Sequence, residues 1–113
     1  MIRRKDKLTK VVGPIEGGKG NITRELLIEG DELKNKAKVF AKWSVPVGGS
    51  VGLHEHNKDY EVYYILSGKG EVLDGDKIVE VNEGDVVYAI NTKHYIENIG
   101  DEELVFLAVI INL

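Results

Sequence analysis

The sequence predicts an all-β fold, a sandwich or barrel of short strands with little helix. Stretches rich in Val, Ile, Tyr and Phe recur along the chain, and glycines separate them at fairly even intervals. Turn-forming residues connect some of them, as in the segments Asp74–Asp76 and Asn82–Asp85. No long window has apolar residues at positions i, i+3, i+4 and i+7, the spacing of an amphipathic helix. This pattern is typical of a β-sandwich or β-barrel.

Eight stretches are predicted to be strands because they are short, rich in β-branched and aromatic residues, and bounded by turn residues. They are Thr23–Ile28, Ala37–Val47, Glu61–Leu66, Gly70–Leu73, Lys77–Val81, Asp85–Ile90, Tyr95–Asn98 and Glu103–Ile111. The Asp-Gly pair at Asp74 predicts a hairpin between two of them. No internal repeat or change of composition divides the 113 residues, so we predict one domain over residues 1–113.

The last predicted strand is apolar on both faces, since Leu104 to Ile111 contains no polar residue. One face can contact the core. We expect the other face to contact either the N-terminal segment or a second subunit, and the second possibility predicts a homodimer formed by sheet-to-sheet packing.

Composition excludes several classes of site and partner. The absence of cysteine excludes disulfides, thiolate zinc sites, iron–sulfur clusters and a cysteine nucleophile. A net charge of −4 disfavours nucleic acid as a partner. The longest apolar run is far shorter than the roughly 18 residues of a membrane span, and no apolar segment follows the basic N-terminus as in a secretory signal. We therefore expect a soluble cytoplasmic protein without a nucleic-acid or membrane partner.

Three histidines and one glutamate are the candidate functional residues. His54 and His56 are two residues apart, and residues i and i+2 of a strand project from the same face. Glu61 lies in an otherwise apolar predicted strand, where a carboxylate is costly unless it is exposed or paired with a cation. His94 lies at the start of another predicted strand. Three neutral imidazoles and one carboxylate fit a six-coordinate metal shell with two open positions.

Taken singly, each of these residues has a simpler explanation, such as a surface histidine or an outward-facing glutamate. Their joint spacing favours the metal site. Gly48, His54, His56, Glu61 and Gly68 are separated by five, one, four and six residues, which is the first signature of the cupin superfamily. The sequence therefore resembles a small single-domain cupin. The resemblance implies that the two glycines bound the strands that carry the first three ligands.

The second cupin signature is also recognisable, in Gly84, His94 and Asn98. Cupins usually have a Pro-x-Gly turn before the histidine, whereas Ala89–Lys93 contains neither residue and is one residue shorter. Asn91 tolerates a positive φ and can replace the glycine. The resemblance implies that Asn98 anchors the strand after the histidine.

The resemblance implies a double-stranded β-helix, the jelly-roll barrel, with a metal inside near its open end. The core barrel would cover about residues 37–113, with residues 1–36 as a flanking strand or arm. By matched position, the ligands of one divalent transition metal (Mn, Fe, Co, Ni, Cu or Zn) would be His54, His56, Glu61 and His94. Residues expected to line the cavity are Tyr63 and Ile65, which share the strand face of Glu61, and Phe106 and Ala108. In the last strand, Phe106, Ala108 and Ile110 are expected to face inward.

Three function classes follow. The first is a metal-dependent dioxygenase, decarboxylase or isomerase that acts on a small oxygenated molecule. The second is a non-catalytic module that binds a metal or a small ligand. A purely structural barrel is disfavoured because it would bury Glu61 without a cation. Tyr63 is a candidate proton donor, although a packing role is the simpler explanation. Because ligating imidazoles must be neutral, metal affinity should fall below about pH 6.5.

Overall fold

The computed structural model describes residues 1–113 and contains ten strands and two short 3₁₀ helices, Lys5–Lys7 and Gly30–Leu33. The strands are β1 (Thr9–Gly13), β2 (Ile22–Leu26), β3 (Ala37–Val45), β4 (Ser50–Glu55), β5 (Asp59–Ser67), β6 (Lys69–Asp74), β7 (Lys77–Asn82), β8 (Val86–Ile90), β9 (Lys93–Asn98) and β10 (Leu104–Asn112). Neither helix approaches the length or the apolar character that a membrane crossing needs.

The strands form two antiparallel sheets. A six-stranded sheet has the order β1-β2-β3-β10-β5-β8, and a four-stranded sheet has the order β4-β9-β6-β7. From β3 onwards most neighbours in a sheet are distant in sequence, apart from the β6–β7 hairpin, as expected when the chain alternates between two layers. This architecture confirms the predicted all-β jelly-roll fold with little helix.

One apolar core lies between the two sheets. Its members alternate along each strand with more exposed residues, because successive side chains of a strand point to opposite faces. The core residues are Ile22, Ala41, Trp43, Val45, Val51, Tyr63, Ile65, Val72, Val81, Ile96, Leu104, Phe106 and Ala108. In β10 the predicted inward residues Phe106 and Ala108 are completely buried, whereas Ile110 is only partly buried.

The sequence did not predict two of the ten strands, β1 and β4. β1 has β-branched residues but is short, mostly exposed and preceded by a basic segment, and β4 contains Gly52 and polar residues, so neither stands out as a strand. Their hydrogen-bonding partners define them instead. β1 pairs with β2 along its whole length, and β4 pairs with β9.

Residues 15–19 lie against β4 and are held there by close backbone packing. The Gly52 N–H donates to the Ile15 carbonyl at 3.1 Å, and the Ser50 N–H donates to the Lys19 carbonyl at 2.9 Å. Gly18 and Gly52 face each other so closely that a Cβ on Gly52 would lie 2.0 Å from the Glu16 carbonyl oxygen. The missing side chains therefore allow the N-terminal segment to cover β4, the strand that carries His54.

Candidate metal centre

The structure brings the four predicted ligands together between the two sheets. His54 lies in β4, His56 follows the end of that strand, and His94 lies in β9 directly opposite His54. Glu61 reaches them from β5 in the other sheet. His56, Glu61 and His94 are buried, and the side chain of His54 is 11% exposed.

A β-bulge turns His54 towards the interior. Gly52 and Leu53 lie opposite the single residue Tyr95, so the alternation of β4 shifts by one residue. Val51 and His54 both point inward although they are three residues apart, while Leu53 is 56% exposed. Strict alternation from Val51 would have pointed His54 outward.

One carboxylate oxygen lies at the centre of the cluster. Oε1 of Glu61 is 3.2 Å from Nε2 of His54, 3.0 Å from Nε2 of His56 and 3.0 Å from Nε2 of His94. The one donor atom that each residue offers lies within 4.8 Å of every other. The four side chains thus present four potential ligand atoms to one small volume.

The outer nitrogens of two histidines are already committed as donors. Nδ1 of His54 donates to the Gly52 carbonyl at 2.7 Å, and Nδ1 of His56 donates to a carboxylate oxygen of Asp59 at 2.6 Å, since neither oxygen can donate. In a neutral ring, Nε2 then carries only a lone pair. These two Nε2 atoms and the Glu61 oxygen are then all hydrogen-bond acceptors. Their close approach is unfavourable unless the rings are protonated or a cation lies between them.

The pKa values describe the metal-free cluster. Burial raises the pKa of the Glu61 carboxyl, but hydrogen bonding to the three histidines outweighs it and holds the pKa far below 4.5. Burial lowers the pKa of His54, and the contacts with Glu61 and the Gly52 carbonyl outweigh it, so the net pKa is raised. Contact with Glu61 raises the pKa of His56 against the opposing effect of burial, and Asp59 raises it further. The site thus favours positive charge beside Glu61.

The spacing of the ligand atoms fits a metal ion. Ligand bonds of about 2.1 Å to nitrogen and oxygen put adjacent atoms of an octahedral shell about 3.0 Å apart, against about 3.4 Å in a tetrahedral shell. The measured 3.0 to 3.2 Å separations match the octahedral value better. The second oxygen of Glu61, Oε2, is buried without a hydrogen-bond partner. The donor types and their distances from Glu61 therefore fit a metal ion.

Two cavities have histidines of the cluster in their walls. One, of about 460 Å³, is mostly apolar, includes His94 in its wall and lies between β8 and the β6–β7 hairpin. The other, of about 530 Å³, is polar and open, and its wall includes His54 and His56. The predicted cavity-lining residues Tyr63, Ile65, Phe106 and Ala108 belong to neither wall, because they are completely buried in the core.

Tyr63 lies beside the cluster with its hydroxyl buried and without a hydrogen-bond partner. Its ring stacks on His94, with centroids 5.7 Å apart and planes at 23°. Burial raises its pKa well above 10, and the Glu61 carboxylate raises it further, so the hydroxyl stays protonated.

The turn residues singled out in the sequence have the conformations that their positions require. Gly48 and Gly68 have φ values of 76° and 91° and precede β4 and β6, and Asn91 has a φ of 51° before His94, as the sequence predicted for a glycine substitute. The side-chain amide of Asn98 donates to the carbonyls of Val45 and Glu102 at 3.0 and 2.8 Å. The shortened turn thus still delivers His94 to the cluster.

Three residues around the cluster were not identified from the sequence: Gly52 and Asp59, which accept hydrogen bonds from the histidines, and Lys38, which contacts Asp59. Asp59 shares strand parity with Glu61, which is a signal that could have identified it. Lys38 donates to Asp59 at 2.6 Å from a strand 21 residues earlier, and nothing in the local sequence predicts that contact.

Comparison with known proteins gives consistent matches. A family model described as a cupin domain matches residues 41–110. An oxalate-binding protein of Thermotoga maritima is 41% identical, and the match covers 100% of this chain and 95% of that protein. A crystal structure of a predicted oxalate decarboxylase from Thermotoga maritima has a TM-score of 0.93 at 41% identity, with 100% of both chains covered. A cupin-2 domain protein from Rhodospirillum rubrum has a TM-score of 0.78 at 23% identity, covering 98% of this chain and 74% of that one.

Proposed function

The chain belongs to the cupin domain family, and from that premise we propose that it holds one divalent transition metal which binds a small dicarboxylate of the oxalate type. The metal ligands in this proposal are His54, His56, Glu61 and His94. The metal would supply a Lewis acid that binds and polarises the carboxylate oxygens.

The observation that carries the metal assignment is the convergence of lone pairs on Glu61. Nε2 of His54 and of His56 cannot donate from a neutral ring, because Nδ1 of each ring already holds the proton. Both nevertheless lie within 3.2 Å of a buried carboxylate oxygen. A divalent cation among these atoms turns an electrostatic conflict into four ligand bonds.

The choice of a dicarboxylate rests on ligand number and on the relatives. Four protein donors leave two positions of a six-coordinate shell. Oε1 of Glu61 is adjacent to all three histidine nitrogens, so in a six-coordinate shell the two remaining positions would be adjacent to each other. Two oxygens of one oxalate can fill adjacent positions as a chelate. The Thermotoga maritima protein that is 41% identical over the whole chain is an oxalate-binding protein.

A second candidate function is decarboxylation of the bound ligand, and the Tyr63 hydroxyl favours it. In this reaction the C–C bond of hydrogen oxalate breaks, carbon dioxide leaves and a proton takes its place, which gives formate. Tyr63 is buried, remains protonated and has no other hydrogen-bond partner, so it can hold a proton beside the cluster. General acids contribute about 10² to 10⁴-fold to such steps.

Metal analysis followed by oxalate titration tests both candidates. Purified protein loaded with Mn²⁺, Co²⁺ or Zn²⁺ should contain one ion per chain and bind oxalate in calorimetry. His56→Ala and Glu61→Gln should lose the ion and the oxalate binding together. Glu71→Gln is the matched control, because Glu71 lies on β6 and accepts a hydrogen bond from Tyr95, away from the histidines. Formate release from the loaded protein would favour decarboxylation.

Two results would refute the proposed metal site or the proposed dicarboxylate ligand. Full metal occupancy in both the His56→Ala and Glu61→Gln variants would refute the site. Stoichiometric metal without oxalate binding would keep the metal site and refute the dicarboxylate.

We also propose that the chain forms a homodimer through the outer face of the six-stranded sheet. Outward-facing Phe40, Tyr64, Val86 and Tyr88 are 38%, 44%, 61% and 60% exposed. Strand register makes them continuous with the outer face of β10, where Leu107 lies next to Tyr64. Contiguous apolar faces of this kind are typical of interfaces, and a second copy offers the same face across a two-fold axis.

Light scattering tests the dimer. The protein at micromolar concentration should have twice the mass of the chain, and Tyr64→Lys should give a monomer with an unchanged circular dichroism spectrum. Lys10→Glu on the edge strand β1 is a surface control that should remain dimeric. A monomeric unmodified protein would refute the dimer.

A further inference from the structure

The three histidines of the cluster differ in what their outer nitrogens contact. Nδ1 of His54 donates to a neutral backbone carbonyl, that of Gly52. Nδ1 of His56 donates to a carboxylate, that of Asp59, at 2.6 Å. Nδ1 of His94 is buried without a partner. Since an anionic acceptor makes an imidazole a stronger electron donor at its other nitrogen, the three rings are not equivalent as ligands.

Asp59 is itself fixed at both oxygens. Oδ1 accepts from His56, and Oδ2 accepts from the ammonium group of Lys38 at 2.6 Å. The Asp59 side chain is 11% exposed, whereas that of Lys38 is 54% exposed. A hydrogen-bond network thus runs from the exposed Lys38 through Asp59 to His56, whose Nε2 lies 3.0 Å from Glu61.

A β-bulge places Lys38 in this hydrogen-bond network. In the pairing of β3 with β10, Ile110 lies opposite Val39 and Ile111 lies opposite Ala37, so Lys38 is an extra residue without a partner in β10. Bulges of this kind redirect a side chain and are frequent beside functional sites. Strand β10 lies between β3 and β5, and the bulge is opposite its C-terminal end. From there the Lys38 ammonium group reaches across to Asp59 at the start of β5.

We propose that Asp59, held by Lys38 from the bulge, is a positioning residue that fixes the proton of His56 on Nδ1 and makes His56 the strongest imidazole ligand of the centre. This rests on the metal site proposed above. Without the carboxylate, the His56 ring can rotate and exchange tautomers, which exposes N–H instead of a lone pair to the metal. Outer partners of metal-ligating histidines contribute about 10 to 100-fold to metal affinity.

Metal competition against a chelating dye measures the effect on the full chain. Asp59→Ala should weaken Zn²⁺ and Co²⁺ binding by about 10 to 100-fold. Lys38→Met should weaken it less and in the same direction, since the carboxylate remains but is no longer held. Lys42→Met is the matched control, because Lys42 lies on the same strand and pairs with Glu25 at 3.3 Å away from the cluster. Its metal affinity should not change.

A spectroscopic measurement separates positioning from a general loss of structure. Nitrogen NMR of labelled histidine in metal-free protein at pH 9 should show His56 as the Nδ1–H tautomer. In Asp59→Ala, His56 should become a mixture of tautomers, while His54 keeps its Nδ1 proton on the Gly52 carbonyl. Asp59→Asn keeps an acceptor oxygen without the charge and should give an intermediate metal affinity.

The outcomes separate this inference from the metal site itself. If Asp59→Ala and Lys38→Met both bind metal within twofold of the unmodified protein, the positioning role is refuted while the centre stands. If the unmodified protein binds no metal, the proposed function has failed, and the tautomer measurement still decides whether Asp59 holds His56. Should Asp59→Ala not fold, Lys38→Met and Asp59→Asn carry the same test.

Discussion

The Tyr63→Phe substitution tests what the buried hydroxyl does. The hydroxyl has no hydrogen-bond partner at normal distance, although the nearby Glu61 carboxylate raises its pKa, and the residue is completely buried, so folding removes its hydrogen bonds to water without an equivalent replacement. The ring packs on Phe106 with centroids 4.5 Å apart and on Trp43 at 5.9 Å. Phenylalanine keeps these ring contacts and removes only the oxygen.

The expected result is a more stable protein. Leaving a buried polar group unpaired costs about 1–3 kcal/mol, and the small void left by one oxygen offsets part of the gain. We therefore expect Tyr63→Phe to raise the free energy of unfolding by about 1 kcal/mol, which corresponds to about 4–6 °C in Tm for a chain of this size. Because its raised pKa keeps the Tyr63 hydroxyl protonated, the gain should be the same at pH 6 and pH 9.

Urea unfolding and calorimetry of the metal-free protein measure this gain. Tyr60→Phe is the matched control, since Tyr60 lies on the outer face of the same strand, packed edge-on against Tyr88, and should change stability little. A loss of 1 kcal/mol or more in Tyr63→Phe would refute the reasoning, because it would mean that the hydroxyl has a partner. In loaded protein, a loss of formate production without a loss of oxalate binding would assign Tyr63 the proton transfer.

Three further predictions follow from the same contacts. The raised pKa values of His54 and His56 stabilise the metal-free protein below pH 6.5, and this contribution is lost as pH rises through the folded pKa values. Metal binding has the opposite pH dependence because the metal displaces these protons. The metal-induced rise in Tm should therefore grow from pH 6 to pH 8, and the metal affinity should change by up to about 100-fold per pH unit. A rise in Tm that does not depend on pH would contradict this prediction. Gly52→Ala should lower stability by about 3 kcal/mol in urea unfolding, since the new Cβ would lie 2.0 Å from the Glu16 carbonyl oxygen, and an unchanged midpoint would count against the close packing. Asn98→Ala removes three hydrogen bonds from a residue that is 2% exposed and should cost about 3 kcal/mol by the same measurement while one metal per chain is retained.

The fold class could be predicted from the sequence because its signals are local. The hairpin turn at Gly75, with its φ of 64°, and the alternation around Tyr63 each depend on a few neighbouring residues. Strand β4 was not predicted because Gly52 interrupts it and Ser50, His54 and Glu55 are polar. The backbone of β9 and of the N-terminal segment completes its hydrogen bonds, and no local pattern reports those distant partners.

The candidate ligands could likewise be predicted from the sequence, whereas the residues that hold them could not. His54, His56 and Glu61 lie within eight consecutive positions, so their spacing was sufficient to predict a common site. The direction of His54 was decided by the bulge opposite Tyr95, and the contact between Lys38 and Asp59 by a second bulge. The sequence by itself therefore determined the all-β fold and the four candidate ligands: strand parity and short spacing identified the first three, and the second motif identified His94. Only the tertiary structure decided which way each ligand points, what holds it and where the cavities lie, because register shifts and packing between the two sheets involve residues far apart in the chain.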